Sequence, residues 1–321
     1  MRRFFAVCLS LFLLVGAGYA RVYRLGHVVN EKDAFHIAAL KFKELVEKRS
    51  HGRIKIRIYP NAVLGDERTL LEELQMGTVD FAIITSGPIS NFAPKFAVVD
   101  MPFLFKDAKT AYRILDGPIG RDLLKELEKA NLKGLAFAER GFRNLTNNKR
   151  PIYKPEDVKG LKIRVMQNPV YIDTFRALGA NAVPMAWGDC LTALQQGTID
   201  GQENPINVIY AFKIYETQKY LAMTRHTYAP AVIMMGLKLW KQFSPEDRKL
   251  LQECAQEAAE YERAWDAAQE KKQLEFIKSK GMVVTYPDLD AFRKAVKPVY
   301  DKYRSRFGDY LDRILKAQEE K

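Results

Sequence analysis

Two stretches of this chain, 120 residues apart, repeat one pattern. "NAVLGDERTLLEELQMGTVDFAI" begins at Asn61 and "NAVPMAWGDCLTALQQGTIDGQE" begins at Asn181. Each opens on Asn-Ala-Val and passes through Gly-Asp. Each then continues as a helical run closed by Leu-Gln-x-Gly-Thr-(Val/Ile)-Asp. Gly77 and Gly197 stand where a helix C-cap belongs, because glycine accepts the left-handed backbone that ends a helix. A repeat of this kind restricts the chain to two related α/β lobes facing each other.

The remaining periodicity fits that frame. Strand patterns at Val22 to Gly26, Arg53 to Tyr59 and Asp80 to Thr85 alternate with helical patterns at Asp33 to Arg49 and Asp66 to Met76. Helices continue from Asp107 to Leu115 and on to Asn131, and then comes a long strand, "LKGLAFAERGFRNLTN". The alternation resumes with a strand at Leu161 to Met166, a helix at Pro169 to Leu178 and a strand at Ala182 to Met185. Helices are expected at Asp189 to Gln196 and Ile206 to Tyr220, after which the chain crosses back through "HTYAPAVIMMGLKLW". This predicts lobe I from residues 21–140 plus 228–270, and lobe II from 141–227 plus 271–321.

One element is out of scale. Ser244 is an N-cap residue, Pro245 suits the first helical position, and Glu246 and Asp247 place acid in the first turn. No glycine or proline occurs after them until Gly281. Leu250, Cys254, Ala258, Tyr261, Trp265 and Ala268 recur at helical spacing and predict the buried face. The pattern fits either one helix bracing both lobes or two shorter ones with a bend.

The first twenty residues stand apart from the fold. Arg2 and Arg3, the apolar run from Phe4 to Val15 and the small residues of Gly18-Tyr19-Ala20 read as a cleavable secretory signal peptide, with residues 1–20 removed. That predicts export to the periplasm. The apolar run is shorter than the ~20 residues a membrane-spanning helix needs. Only Cys190 and Cys254 lie beyond it, so the chain is no disulfide scaffold, and both fall in helical patterns that suit small buried hydrophobes. The formal charge is +12, two units of which belong to Arg2 and Arg3. Such an excess suits an anionic ligand or surface, but the basic residues are scattered, which argues against nucleic acid.

Catalytic motifs are absent. The four histidines form no HExxH and pair with no cysteine at metal-ligand spacing, and there is no GxSxG, GxxxxGK[ST] or GxGxxG. Asp200 and Glu203 are too weak a signal for a glycosidase pair. The chain therefore reads as a binding protein with no enzyme activity, no cofactor and no metal. Binding residues are easier to find. "GLKIRVMQNP" alternates Leu161, Ile163 and Val165 on one face and sets Arg164 on the other, beside Lys162. Arg164 is either a solvated strand residue or a ligand partner. Arg143 of "GFRNLTN" poses the same choice. Together they could present two planar guanidinium forks to one carboxylate, with the Asn204 amide beside them. The crevice at the strand ends is the default ligand site of an open α/β sheet. Trp187 is core or a lid on that crevice.

"GLKIRVMQNP", "PMAWGD", "ALQQGTIDGQENP" and "YETQKYLAMTRH" resemble the extracytoplasmic solute receptors of TRAP transporters, the DctP type that includes sialic acid and C4-dicarboxylate receptors. The likeness runs from about Arg24 to the C-terminal helices. It implies a two-lobed periplasmic binding protein clamshell with a long helix spanning both lobes, which favours the unbroken form of the Pro245 helix. It also implies that Arg164 pairs with the ligand carboxylate, that Arg143 supplies a second basic contact and Asn204 an amide contact, and that Trp187 lies against the ligand. Glu67 and Thr85 match positions that touch the ligand's far end.

The resemblance implies a receptor that captures a small organic acid anion and hands it to TRAP membrane permease subunits. The acid is a C4-dicarboxylate or a sugar acid such as a uronate. Glu67 would repel a second ligand carboxylate and accept hydrogen bonds from hydroxyls, whereas Arg143 could serve a short dicarboxylate. The rival reading is a periplasmic sensor of the same fold that signals to a membrane partner. The charged outer faces of helices such as "ERAWDAAQEKKQ" predict a monomer.

Overall fold

The computed structural model describes residues 21–319, so the expected signal peptide lies outside the described residues. Among them the chain builds one mixed sheet from β1 (Val22–Gly26), β2 (Lys55–Tyr59), β3 (Phe81–Thr85), β4 (Leu132–Asn147), β5 (Lys162–Val165), β6 (Asn181–Pro184), β7 (Gly201–Asn204), β8 (Tyr220–Gly236) and β9 (Val283–Thr285). The strand order is β2-β1-β3-β8-β4-β7-β5-β6, with β9 paired to β8. β1 to β3 form a parallel half at one end, and β5, β6 and β7 form another at the opposite end. Helices cover both faces.

The two halves are joined by the antiparallel pair β4 and β8, each long enough to belong to both. "LKGLAFAERGFRNLTN", expected as a long strand, is all of β4. The pair is not regular. Its register shifts between Gly134 and Ala136, between Glu139 and Gly141, and between Arg143 and Leu145. Bulges of this kind bend a strand. The boundary expected at residues 140 and 141 falls inside β4, on the middle shift.

The echo is local structure. Helix Glu67–Met76 and helix Trp187–Gln196 both end on a left-handed glycine, with φ +80 at Gly77 and +69 at Gly197. Asp66 caps the first helix by accepting from the Thr69 N–H at 2.8 Å. In the second copy the corresponding Asp189 has moved inside the helix, and Ala186 caps it without a side-chain bond.

The long helix is continuous from Pro245 to Ser279, with Ser244 accepting from the Asp247 N–H. Its buried face differs from the expected one. Tyr261 is 49% exposed and Ala268 lies outside, while Glu262 and Arg263 are buried beside Ala255, Ala258 and Ala259. The small alanines let β4 and the helix Ala34–Arg49 approach closely, and that contact turns the charged pair inward. A second expectation fails between Ile206 and Tyr220. The helix stops at Ala211, Lys213 takes φ +53, and β8 begins at Tyr220. Helical propensity within that stretch yields to the turn that feeds β8.

The main core runs along the sheet through Phe35, Phe42, Phe81, Phe96 and Phe137, each fully buried or nearly so. Full burial of one such side chain contributes about 1.5–3 kcal/mol. A smaller core behind β5 to β7 holds Cys190, Leu194, Ile206, Ile209, Leu221 and Ile277. Cys190 and Cys254 are both buried and unbridged. No helix among the described residues is long and apolar enough to cross a membrane.

Candidate ligand-binding site

The echoed helices begin on opposite walls of one cleft. Asp66, Glu67 and Arg68 stand on one side, and Ala186, Trp187 and Gly188 on the other. Val28, Pro88, Arg164, Met166 and Met185 line the space between, a cavity of about 30 Å³. A helix start presents unpaired N–H groups and the positive end of its dipole, which favours an anion. The start at Ala186 has no side-chain cap to occupy those groups.

Arg164 lies on β5, between β6 and β7, at register with Val183 and Gln202. The alternation of "GLKIRV" places it on the same face as Lys162, but the two part company. Lys162 is exposed, whereas Arg164 is 4% exposed and lines the cleft. Its Nε and one terminal nitrogen donate to the Met185 carbonyl at 3.0 and 2.8 Å, and its guanidinium lies 5.6 Å from the centre of the Trp187 ring. Among the described residues no carboxylate lies within 4.0 Å of it. Burial lowers its pKa from the ordinary arginine value, and the charge remains. A buried guanidinium satisfied only by one carbonyl and an aromatic face retains donors for an incoming anion.

Trp187 packs edge-on against Phe212, with ring centres 5.0 Å apart. Its indole Nε1–H is buried and has no acceptor. Opposite, Glu67 accepts from the Thr85 N–H at 2.7 Å through Oε1, and burial pushes its carboxyl above the usual range. Thr85 ends β3 and is off the cleft lining; its contribution is that N–H.

Arg143 and Asn204 also lie behind the lining. Arg143 is 1% exposed and forks onto Glu203: Nε meets Oε2, and one terminal nitrogen meets Oε1 at 2.8 Å and the Glu203 carbonyl at 2.6 Å. His226 Nε2 reaches the same carboxylate at 3.2 Å. Burial alone would raise the Glu203 carboxyl, but the Arg143 charge and the His226 bond hold it below its ordinary value. Asn204 donates to Gln202 Oε1 at 2.6 Å. The structure therefore brings Arg164, Trp187 and Glu67 to one cavity and sets Arg143, Asn204 and Thr85 in the layer behind them.

Sequence reasoning missed three features of this site. Glu203 was considered only with Asp200, which instead accepts from the Lys162 N–H at 2.8 Å. The apolar walls of Val28, Pro88, Met166 and Met185 carry no motif. Across the cleft, Asn91 donates to the Gln167 carbonyl at 2.7 Å, and Asn168 donates to the Gly87 carbonyl at 3.1 Å. A Cβ on Gly87 would come within 2.8 Å of the Met166 methyl, so a larger residue there would turn the end of that side chain aside.

Comparison with known proteins gives the family. The model of the bacterial extracellular solute-binding proteins, family 7 (DctP), matches residues 25–306. The chain is 37% identical over 303 residues to the 2,3-diketo-L-gulonate-binding periplasmic protein YiaO of Escherichia coli, covering 94% of this chain and 92% of that one. A TRAP periplasmic solute-binding protein from Polaromonas, solved bound to D-erythronate, superposes with a TM-score of 0.90. It is 40% identical and is matched over 92% of this chain and 98% of its own. The sugar acid binding protein DctPAm from Advenella mimigardefordensis, in complex with galactonate, gives a TM-score of 0.90 at 33% identity, over 93% of this chain and 98% of its own. This chain belongs to the DctP family of bacterial extracellular solute-binding proteins.

Proposed function

We propose that this protein is the periplasmic receptor of a TRAP transporter and captures a hydroxylated monocarboxylate, a sugar acid, for delivery to the membrane permease. The observation that carries this reading is Arg164, a buried cation on the cleft with donors to spare and no carboxylate of its own. The ligand carboxylate takes those donors. Trp187 lies against the ligand and gives its free Nε1–H to an oxygen.

Glu67 favours hydroxyls at the far end, because a carboxyl there accepts or donates to a hydroxyl but repels a second carboxylate. The relatives that bind diketogulonate, erythronate and galactonate support the same chemistry. Arg143, Asn204 and Thr85 act from behind by fixing β7 and Glu67.

The two halves of the sheet are lobes in this reading, divided near residues 140 and 227 on β4 and β8, with the cleft between them. Ligand held on the Arg164 side gains Glu67 only when the lobes are together, so it shifts an open and closed equilibrium by its differential affinity. Residues 1–20 direct export and are removed.

The test is a thermal-shift screen of the mature chain against sugar acids and C4-dicarboxylates, with calorimetry on the hits. Ligand that binds only the folded state raises Tm by mass action. Stabilisation by aldonates or uronates with no response to succinate, fumarate or malate is expected. A response confined to the dicarboxylates refutes the assignment of Glu67, and no response to any carboxylate refutes that of Arg164.

A further inference from the structure

A second cavity, of about 80 Å³, opens where β4 crosses from one half of the sheet to the other, and it shares no residue with the ligand cleft. Tyr112 and Glu139 wall it on one side and Pro205 and Asn207 on the other, while Asp266 and Glu270 of the long helix close it. Glu139 adjoins the register shift in β4, next to Gly141 at φ +99. These acids therefore sit at the bend between the halves.

Counting charges at the bend leaves an excess. Arg263 is taken by Asp116 at 2.6 and 3.0 Å, Arg140 by Asp33 at 2.6 Å, and Arg225 stands 4.0 Å from Glu270. Glu139, Glu262 and Asp266 have no ion-pair partner among the described residues. Glu262 Oε2 accepts from the Glu139 N–H at 3.0 Å, and Glu139 Oε2 accepts from the Tyr112 hydroxyl. Glu262 Oε1 and Asp266 Oδ1 are buried without partners. Strand β8 contributes that same Arg225, which stands nearer Glu270, and the Tyr228 hydroxyl, itself unpartnered. Buried carboxylates without cations neutralise by taking up protons.

We propose that Glu139, Glu262 and Asp266 form a proton-binding site at the hinge, filled while the cleft is shut and emptied when opening admits water to the seam. Burial raises all three carboxyls. Repulsion from Glu139 adds to it at Glu262 and Asp266, and the Glu139 carboxyl itself reaches about 7. Arg263, Arg225 and Arg140 oppose the rise without cancelling it.

These shifts fix the sign of the coupling. The shut form holds protons that a solvated carboxyl, with a pKa of about 4, releases. Raising the pH between that value and about 7 therefore favours the open form. Each group moves the open-to-shut ratio by up to about tenfold per pH unit in that window. The inference rests on the clamshell reading above and is independent of which acid is bound.

The test uses the mature chain without ligand, spin-labelled through Met76→Cys and Tyr153→Cys, which are exposed positions on the two halves. Cys190 and Cys254 are buried. Distance distributions are recorded by pulsed electron resonance from about pH 5 to 8, alongside infrared spectra of the unlabelled chain. An open fraction that grows with pH, flattened in the doubly neutral Glu262→Gln, Asp266→Asn variant, supports the proposal. A distribution that ignores pH in the parent, or an equal response in the double variant, overturns it. If the variant fails to fold, the infrared spectrum decides, because a protein with no protonated carboxyl stretch near neutral pH also overturns it. With no ligand present, failure of the sugar-acid assignment leaves these outcomes unaffected.

Discussion

Arg164 and Trp187 stack across the floor of the cleft, the guanidinium carbon 5.6 Å from the indole centre, and both leave donors without a protein acceptor. A cation and an indole N–H facing one space are complementary to an acid bearing a carboxylate and further oxygens. Removing the cation should cost binding without unfolding the protein. Truncating one partner of a buried charge pair costs about 3–5 kcal/mol, so Arg164→Ala is expected to weaken sugar-acid binding by roughly a hundredfold or more. Calorimetry measures the affinity, and the ligand-free Tm should fall only by the modest loss of the bonds to the Met185 carbonyl, because no protein carboxylate is stranded.

Trp187→Phe separates the ring from its N–H. The ring keeps its contact with Phe212. The deleted donor has no partner in the ligand-free protein, so stability is unchanged or slightly improved. Loss of one hydrogen bond to ligand predicts about a five- to tenfold rise in Kd. An unchanged Kd would remove the indole N–H from the site.

Glu67→Gln tests discrimination. Gln keeps an oxygen for the Thr85 N–H, so the wall retains its shape. Loss of a carboxyl that can ionise relieves repulsion of a second ligand carboxylate. The variant is expected to gain C4-dicarboxylate binding relative to sugar acids, by an order of magnitude or more in the ratio of the two affinities. Competition between succinate and a bound aldonate reads this directly.

Glu203 anchors the layer behind the cleft, and its loss strands the buried Arg143 charge. Glu203→Gln is expected to destabilise the fold by about 3–5 kcal/mol, measured by denaturant melts. The direction of its shift sets the pH dependence. Its folded carboxyl titrates below the ordinary value, so its stabilisation is complete above the unfolded pKa of about 4.3 and is lost as the pH falls through the folded one. The parent should therefore lose stability on acidification below about pH 4.3 more steeply than the Gln variant.

Much of this frame was legible from patterns that depend on local physics. The echo at Asn61 and Asn181 is a helix start, a glycine stop and a succeeding strand, and it reads as two related α/β units. β4 announced itself by length. The helix expected through Tyr220 failed because the left-handed turn at Lys213 is set by β8, which lies outside the local sequence. The face of the long helix was misjudged because counting apolar residues cannot anticipate a buried Glu262 and Arg263 that find partners on β4 and Asp116. Arg143 forks onto Glu203, 60 positions away, and nothing local in the sequence pairs the two. Arg164 shows the limit from the other direction. Alternation gave its face, and only the neighbouring strands decide that Lys162 on the same face is wet while Arg164 is not.

The paired β4 and β8 strands have a mechanical consequence. They are laminated by hydrogen bonds along nearly their full length and interrupted by three bulges. Such a connection behaves as a two-ply leaf spring, not as a loose tether. Bending it loads both plies together at the bulges, so the excursion of one half against the other is confined to a narrow arc in a fixed plane. In the clamshell reading proposed above, the working stroke is set by the stiffness of a ribbon.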